Sequence, residues 1–297
     1  MLILNMGLDQ IKQETVRIIK FISDNLCKDE KAVIGLSGGL DSDVVTRMTV
    51  EALGKQRVKL FTVIQSEMEP RHLENARRLA IEMDIQLIEI KLESFPFDFI
   101  RSMQNADPSE MFNPKGLLDP SRAKCSMRTV IISTYQDRGY IIIGTSNRTE
   151  LETGFFLPFG DALAHIKPIA HLYKTQVRQI AETLGTCDIV LQQPASAGFW
   201  EGQEDIEDLS YWLYHKAPIR QEISFDTIAE SKIKEIRSGL STEKIDLGLL
   251  GLSYGMKDEI IAKESGLSVE IVSRLRSVTL AAKQFKLRPI GVCLENI

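Results

Sequence analysis

The sequence is poor in the features that mark membrane, secreted and nucleic-acid-binding proteins. No run reaches the roughly 18 apolar residues of a membrane span, and residues 1–14 contain acidic and polar side chains too early for a signal peptide. The four cysteines include no C-x-x-C pair, which argues against a disulfide framework or a zinc site. A net charge of −5 at pH 7 disfavours a general nucleic-acid binder. We therefore expect a cytoplasmic protein with reduced thiols and neither a membrane nor a nucleic-acid partner.

The pattern of apolar residues predicts alternating strands and helices in the first half of the chain. Buried strands are predicted at 32–36, 58–64, 85–90 and 140–145. Helices are predicted at 8–26, 42–53, 71–84 and 121–138, and residues 206–288 are predicted to be helical throughout. Alternation of this kind favours βαβ units. We expect one α/β domain over residues 1–297, with an open parallel sheet flanked by helices and a helical C-terminal portion.

A glycine pair follows the first predicted strand, in the segment SGGLDS. In an open α/β sheet this position, between a strand and the next helix, is where ligands bind. Gly38 and Gly39 let backbone N–H groups approach an anion, and Ser37 and Ser42 can donate hydroxyl hydrogen bonds to it. Asp41 is itself an anion, so its natural role is to hold Mg²⁺ that bridges phosphates. The segment therefore favours a phosphate-binding loop with magnesium.

A structural interpretation of the same segment is a tight Gly–Gly turn with Ser42 as the helix N-cap. Two other phosphate-binding motifs are excluded, because the chain contains neither G-x-x-x-x-G-K-[ST] nor G-x-G-x-x-G. The motif S-G-G-x-D-S after a first strand resembles the pyrophosphate loop of the N-type ATP pyrophosphatases, which share an adenine nucleotide alpha hydrolase-like fold. That loop alone does not identify the family.

Longer segments resemble one family of that superfamily, the NAD+ synthetases. The most specific begins GTSNRTELETGFF and continues through FGD to LYKTQVRQIAETLG, over residues 144–185. Weaker matches to the family's patterns lie at 73–85, 192–209, 250–261 and 284–289. The resemblance covers about residues 8–209 and 250–289, which leaves 210–249 as an insert. It implies an α/β ligase of the ammonia-dependent type.

The resemblance implies roles for individual residues. Positions matching the family's ATP site are Ser37, Gly38, Gly39, Asp41, Ser42, Thr145, Lys174 and Ser196. Positions matching its two magnesium ligands are Asp41 and Glu150, and positions matching its acid-substrate site are Lys124, Asp161 and Lys286. The last three follow the family pattern less closely than the ATP positions do.

Two of these assignments have simpler alternatives in the sequence itself. Glu150 follows a strand end by a few residues, so it can reach the same sheet edge as Asp41, but a glutamate in a first helical turn is also favoured by the helix dipole alone. Lys174 stands at a predicted helix start, where the dipole disfavours a cation. An anionic partner would explain that lysine, and a solvated side chain is the alternative.

The activity implied by the resemblance needs no protein nucleophile. ATP adenylates the carboxylate of deamido-NAD+, and ammonia, either free or from a separate glutaminase, then gives NAD+ and AMP. The resemblance also implies a homodimer, for which Val130, Ile131 and Ile132 could supply an interface or could belong to the core.

Two alternatives to this activity stay open. Because the ATP positions match the family pattern better than Pro158 and Leu287 do on the substrate side, amidation of a different carboxylate is one alternative. A non-catalytic ATP-binding regulatory protein is a second, against which Asp41 and Glu150 argue.

Overall fold

The structure is a computed structural model that describes residues 2–65, 68–198, 201–221 and 223–285. In these residues four strands form one parallel sheet, with the order β3-β2-β1-β4: Lys31–Gly35 (β1), Val58–Gln65 (β2), Leu87–Glu93 (β3) and Tyr140–Ile143 (β4). Each predicted strand is present, with bounds shifted by up to three residues. The parallel α/β prediction is confirmed.

The helices of the first part connect and cover these strands. They are Leu8–Asp24 (α1), Leu40–Leu53 (α2), Pro70–Glu82 (α3), Phe95–Ala106 (α4), Leu118–Gln136 (α5), Arg148–Thr153 (α6), Lys174–Thr183 (α7) and Asp188–Gln192 (α8). The second part is mainly helical: Asp205–His215 (α9), Thr227–Ser238 (α10), Thr242–Ser253 (α11), Asp258–Ser265 (α12) and Val269–Ala282 (α13). The prediction of helix throughout 206–288 is wrong for residues 216–221 and 223–226, which connect α9 to α10 without helix.

The strand order explains how the helices divide between the two faces of the sheet. The chain runs from β1 through α2 to β2, and then through α3 to β3 at one edge of the sheet. It returns through α4 and α5 to β4, on the other side of β1. Because parallel crossovers are right-handed, these two directions place their helices on opposite faces. Strand β1 is buried on both sides: Ile34 packs into the core under α2, and Val33 packs with Phe61 and Ile132 under α5.

The C-terminal helices have a hydrophobic core of their own. Its centre is formed by fully buried side chains from α9, α11 and α13, among them Leu213, Leu249 and Leu275. Tyr173, which immediately precedes α7, also packs into this core and joins it to the sheet layers. Among the described residues, none of the helices has the length and apolar character needed to cross a membrane.

The strand order reverses direction between β1 and β4, which is where ligands bind in open α/β sheets. The glycine pair follows β1, and the segment leading to Glu150 follows β4. The interpretation of Ser42 as an N-cap is wrong, because α2 begins at Leu40 and its N-cap is Gly39. The first turn of α2 therefore starts directly at the glycine pair, and its N–H groups have no partner within the helix.

The two glycines of the loop should differ sharply in their tolerance of a side chain. Gly38 has a φ of +78°, and a Cβ built there would lie 1.9 Å from the carbonyl oxygen of His72. At Gly39 the φ is −95° and the nearest atom would be Ser37 Oγ at 3.4 Å. We expect Gly38→Ala to lower the free energy of unfolding by at least about 2 kcal/mol, and Gly39→Ala by less than about 1 kcal/mol. Urea unfolding of both variants tests this, and equal losses would contradict it.

Candidate active site

The phosphate loop is held in shape by its own serines. Ser42 Oγ donates to the carbonyl oxygen of Gly39 at 3.0 Å and accepts from the backbone N–H of Ser37 at 3.2 Å. Ser37 Oγ accepts from the N–H of Gly39 at 3.3 Å. Ser42 is 1% exposed, so its hydroxyl fixes the loop from inside, whereas Ser37 and Gly39 line the cavity described below. The loop is thus pre-shaped before any ligand binds.

Helix α3 supports this loop and a second loop opposite it. Asn75 Nδ2 donates to the carbonyl oxygen of Gly38 at 3.3 Å and to Gln193 Oε1 at 2.9 Å. His72, which is 3% exposed, hydrogen-bonds to the amide of Gln193 through Nδ1 at 3.1 Å. A Cβ built at Gly198 would lie 3.0 Å from the same imidazole ring. One face of α3 therefore connects the phosphate loop to residues 193–198.

Two carboxylates from different strands converge on one lysine and one amide. Lys174 Nζ donates to Asp41 Oδ2 and lies 3.9 Å from Glu150 Oε1. Asn147 Nδ2 donates to Asp41 Oδ1 at 3.1 Å and to Glu150 Oε1 at 2.8 Å. Asp41 lies in the first turn of α2, which follows β1, and Glu150 lies in the first turn of α6, which follows β4. The structure thus brings together Asp41, Glu150 and Lys174, three of the residues selected from the sequence.

Glu150 is held by the start of its own helix. Its backbone N–H donates to Asn147 Oδ1 at 3.0 Å, and its Oε2 accepts from the N–H of Asn147 at 3.3 Å. This is a reciprocal capping box, which satisfies N–H groups that a helix start leaves unpaired. Glu150 is therefore both a helix-capping residue and a candidate metal ligand, because the capping box fixes its carboxylate in a position that faces Asp41.

The interpretation of Lys174 as a solvated side chain is wrong. The residue is 9% exposed and forms the first residue of α7, where the helix dipole opposes a positive charge. Burial alone would lower the pKa of Lys174, but the negative charges of Asp41, Glu150 and Asp205 outweigh it and raise that pKa. Lys174 is therefore charged at neutral pH and neutralises the carboxylates around it.

Burial raises the pKa of two carboxylates beside Lys174, those of Glu150 and Asp205. Burial, reinforced by the charge of Asp41, raises the pKa of Glu150 well above its usual range, and Lys174 only partly opposes the rise. Burial also raises the pKa of Asp205, the first residue of α9. Clusters of buried groups with raised pKa values and a specific countercharge are typical of functional sites. A divalent cation would relieve the same repulsion.

The donor set fits magnesium. Mg²⁺ prefers oxygen ligands and is often held by one or two carboxylates with the rest of its shell from phosphates and water. Asp41 and Glu150 both hydrogen-bond to the same amide, that of Asn147, so their oxygens already converge. In the part of the chain that the structure describes, no three His, Cys, Asp or Glu side chains form a metal-binding group. The protein therefore suits an ion that takes its remaining ligands from a bound phosphate.

A cavity of about 350 Å³ opens beside this cluster. The sequence-predicted residues that line it are Ser37, Gly39, Asp41, Thr145, Glu150, Asp161, Lys174 and Ser196. Its volume is within the usual range for small-molecule sites. The residues therefore share one cavity although they are scattered over 160 positions of sequence.

Among the described residues, three predicted site residues are not at the cavity wall. Gly38 and Ser42 lie behind the phosphate loop and shape it. Lys124 is 2% exposed, and its Nζ lies 4.9 Å from the ring centroid of Phe97, away from the cavity. Lys286 lies outside the described residues. The assignment of Lys124 and Lys286 to the substrate stays a prediction.

The cavity also contains charged residues that the sequence analysis did not select. Arg122 and Arg128 come from α5, and Arg220 follows α9; Asp205 and Asp208 come from the first turn of α9. Asp205 and Asp208 lie in the segment 192–209 that resembles the family, whereas nothing in the local sequence of the three arginines distinguishes them from surface charges. For Asn147, by contrast, a signal exists, since the spacing N-x-x-E in Asn147–Glu150 predicts a capping box.

Asp208 should make stability depend on pH. Burial raises its pKa to about 7, against a hydrogen bond from Gln203 at 3.0 Å that favours the anion, and the charges of Asp205 and Glu207 add to the rise. Between about pH 4 and pH 7 the folded protein keeps a proton that the unfolded chain loses, so stability falls as pH rises through this range.

We expect Asp208→Asn to reduce this pH-dependent loss of stability by about 2 kcal/mol. The value is smaller than the full effect of the pKa shift, because Asp208 is partly exposed to solvent. Urea unfolding at pH 4.5, 6 and 8 gives the slope for each protein. Parallel slopes for the variant and the parent would rule out Asp208 as the cause.

The chain matches one protein family over most of its length. The family model described as NAD synthase matches residues 14–238, well over half of the chain. An NH(3)-dependent NAD(+) synthetase of Pyrococcus horikoshii is 29% identical over 285 residues, which cover 95% of this chain and 94% of that protein. The matched region includes the glycine pair, Glu150, Lys174 and the first turn of α9.

Two solved structures share the fold over almost their whole length. The NMN synthetase from Francisella tularensis superposes with a TM-score of 0.71 at 22% identity, covering 97% of this chain and 99% of that one. The NH3-dependent NAD synthetase from Campylobacter jejuni, in complex with the nitrate ion, superposes with a TM-score of 0.68 at 18% identity, covering 97% and 100%. At these identities the likeness bears on the fold.

Proposed function

The chain belongs to the NAD synthase family of carbon–nitrogen ligases, and we propose that it adenylates the carboxylate of deamido-NAD+ with ATP and amidates it with ammonia. The products are NAD+, AMP and pyrophosphate. The observation that carries this proposal is the convergence of Asp41, Glu150 and Lys174 beside the phosphate loop. This arrangement supports the proposal because a triphosphate bound there would meet both a buried positive charge and two carboxylates able to hold a cation.

The chain's own residues position ATP. The phosphate loop and the N-terminus of α2 offer backbone N–H groups to the leaving pyrophosphate. Lys174 adds a buried positive charge at the same place. Asp41 and Glu150 would hold Mg²⁺, which would supply positive charge to the phosphates when bound. Asn147 keeps both carboxylates aimed at one point.

The reaction itself takes place between the substrates. The carboxylate of the acid attacks the α-phosphorus and displaces pyrophosphate, and ammonia then attacks the acyl carbon and releases AMP. Catalysis by the chain is positioning and charge neutralisation, in an enclosed site where both are strong. The ammonia is free in solution or arrives from a separate glutaminase.

We also propose a homodimer. Val130 on α5 is 63% exposed and is available for an interface, whereas Ile132 is 6% exposed and belongs to the core under that helix. Light scattering at micromolar concentration tests the dimer, and a monomer mass would refute it.

A cytoplasmic location stays a prediction. The three described cysteines, Cys27, Cys125 and Cys187, are free thiols.

Ammonia-dependent AMP release tests the proposed reaction. The purified protein is supplied with ATP, Mg²⁺ and ammonium, together with a panel of carboxylic acids that includes deamido-NAD+. We expect AMP release with deamido-NAD+ that depends on both the acid and ammonium. ATP binding without AMP release on any acid would favour a non-catalytic ATP-binding protein.

A second candidate is the same chemistry on a different carboxylate. Arg220, from the segment that the sequence analysis treats as an insert, enters the cavity and donates to the carbonyl oxygens of Gly154 and Phe156. An arginine contributed by that segment adds a positive charge to the part of the cavity proposed to bind the acid substrate. AMP release with another acid, and none with deamido-NAD+, would select this candidate.

A further inference from the structure

Helices α6 and α7 begin side by side and are joined by hydrogen bonds. Glu150 lies in the first turn of α6, and Lys174 is the first residue of α7. The backbone N–H of Arg148 donates to the carbonyl oxygen of Leu172 at 2.8 Å. The backbone N–H of Lys174 donates to Thr149 Oγ1 at 2.9 Å. The hydroxyl of Thr149, the neighbour of Glu150, therefore ties the start of α6 to Lys174.

A carboxylate from the C-terminal helices holds both helix starts. Asp246 lies on α11 and is fully buried. Its Oδ1 accepts from Thr149 Oγ1 at 2.6 Å. Its Oδ2 accepts from Thr175 Oγ1 at 2.7 Å and from the backbone N–H of Thr175 at 2.8 Å. The two oxygens of one side chain thus bind the start of α6 and the start of α7 at the same time.

The C-terminal core fixes the position of this carboxylate. Ile245, which precedes Asp246, is 2% exposed, and Leu249, one turn further along α11, is fully buried. Both belong to the core of the C-terminal helices. Side chains in a close-packed core have little freedom to move. Asp246 is therefore held from one side by this core and from the other by the two threonines.

Asp246 also offsets an unfavourable charge at the start of α7, where the helix dipole opposes the positive charge of Lys174. Burial raises the pKa of Asp246, whereas the hydrogen bonds from Thr149 and Thr175 and the charge of Lys174 favour its anion. An anion that accepts from the N–H of Thr175 places negative charge at this helix end. The same carboxylate therefore orients the start of α7 and makes a lysine there less costly.

Packing alone does not hold Glu150 and Lys174 in place. A second cavity, of about 50 Å³, is lined by these two residues together with Thr149 and Ile245. Side chains that border a void lose contacts on that side. The positions of Glu150 and Lys174 therefore depend strongly on the hydrogen bonds made at the starts of their helices.

We propose that Asp246 is a positioning residue for ATP, which acts through Thr149 and Thr175 to place Glu150 and Lys174 against the triphosphate. Asp246 itself does not line the main cavity. A displacement of about 1 Å in groups that align a substrate can cost about a hundredfold in rate. The inference rests on the proposed function for its ligand, ATP, and it connects the C-terminal helices to the reaction centre.

Binding of a non-hydrolysable ATP analogue tests the proposal without turnover. Calorimetry at saturating Mg²⁺ gives the Kd of the analogue for the parent, Asp246→Asn and Thr149→Val. The asparagine keeps the shape of the side chain but puts an NH₂ group where an oxygen accepted hydrogen bonds, and the valine removes the hydroxyl. We expect each of the two variants to raise the Kd by about tenfold to a hundredfold. Thr149→Ser, which keeps the hydroxyl, should restore a Kd within about threefold of the parent.

Thr153→Val is the matched control for Thr149→Val. Thr153 lies one turn further along α6 and is 1% exposed, and its hydroxyl donates to the carbonyl oxygen of Thr149 at 2.7 Å, within its own helix. Both valine variants lose a buried hydroxyl, so both should lose stability in urea unfolding. The Kd of the analogue should rise in Thr149→Val alone.

Three results of this binding experiment would overturn the proposal. The first is a parent-like Kd in folded Asp246→Asn and Thr149→Val. The second is an equal rise in Thr149→Val and Thr149→Ser, and the third is an equal rise in Thr149→Val and Thr153→Val. If Asp246→Asn does not fold, the comparison of the three variants at Thr149 and Thr153 decides the outcome.

Steady-state kinetics separate the positioning of ATP from a general structural role. Initial rates are measured with deamido-NAD+ and ammonium for the parent and Thr149→Val. We expect the KM for ATP to rise about tenfold or more, with the KM for the acid within about threefold of the parent. A partly unfolded sample would lower kcat and leave both KM values unchanged. A fall in kcat with a parent-like KM for ATP would therefore overturn the proposal.

The two experiments distinguish failure of this inference from failure of the proposed function. If no acid is adenylated but the ATP analogue binds in a way that depends on Asp246 and Thr149, the proposed function fails and the inference stands. If acids are adenylated and the variants keep the parent's Kd and KM for ATP, the inference fails and the proposed function stands.

Discussion

Replacing Asp41 or Glu150 by alanine should lower kcat/KM at least about 150-fold, equivalent to about 3 kcal/mol of transition-state stabilisation. Both carboxylates hydrogen-bond to Asn147 Nδ2 and face Lys174, so each variant removes one of the two protein ligands proposed for magnesium. Initial rates at saturating ATP and increasing Mg²⁺ measure the loss. Higher Mg²⁺ should restore only part of it, because the missing ligand is not replaced.

Glu152 provides a matched control for Glu150. It lies two residues further along the same helix, where it pairs with Arg148 at 2.7 Å instead of facing the cavity. We expect Glu152→Gln to change kcat/KM by less than about threefold. Near-normal turnover of the Asp41 or Glu150 variant at saturating Mg²⁺ would show that the metal assignment is wrong.

Lys174→Met should lower kcat/KM by about a hundredfold to a thousandfold. The substitution keeps the length of the side chain but removes the buried positive charge between Asp41 and Glu150. The two carboxylates would then face the phosphates of ATP without a cation from the protein. We expect the KM for ATP to rise as well as kcat to fall.

Lys20→Met is the control for this substitution, because Lys20 forms an exposed ion pair with Asp24 on α1. That variant should retain full activity. Urea unfolding separates loss of folding from loss of catalysis in Lys174→Met. If the folded variant keeps both its kcat and its KM for ATP within about threefold of the parent, Lys174 has no role in binding phosphate.

The sheet and the phosphate loop were predictable from sequence because their signals are local. The apolar strand of residues 31–35, the glycine pair and the following helix lie in one short segment. The conformation of each is determined mainly by its own residues. Helix α4, at Phe95–Ala106, was not predicted, although its apolar residues share one face and Pro96 stands in its first turn, where proline is well tolerated.

The grouping of Arg122, Arg128 and Arg220 at the cavity wall could not be predicted because it depends on contacts between distant segments. Arg122 and Arg220 are 98 positions apart, and they meet because the loop after α9 passes over α5 and the end of α6. In the sequence each is one of 36 lysines and arginines. Only the path of the folded chain distinguishes them from solvated surface charges.

The separate hydrophobic core of the C-terminal helices has a consequence for how this protein can evolve. The phosphate loop and Asp41 are held by the packing of β1 and α2 in the sheet layers, whereas Arg220 is carried by a segment that follows α9, whose Leu209 and Leu213 pack in the other core. Substitutions in that segment can move or replace Arg220 while the packing around β1 and α2 is unchanged. Selection for a new acid can therefore act on one core while the other preserves the adenylation chemistry.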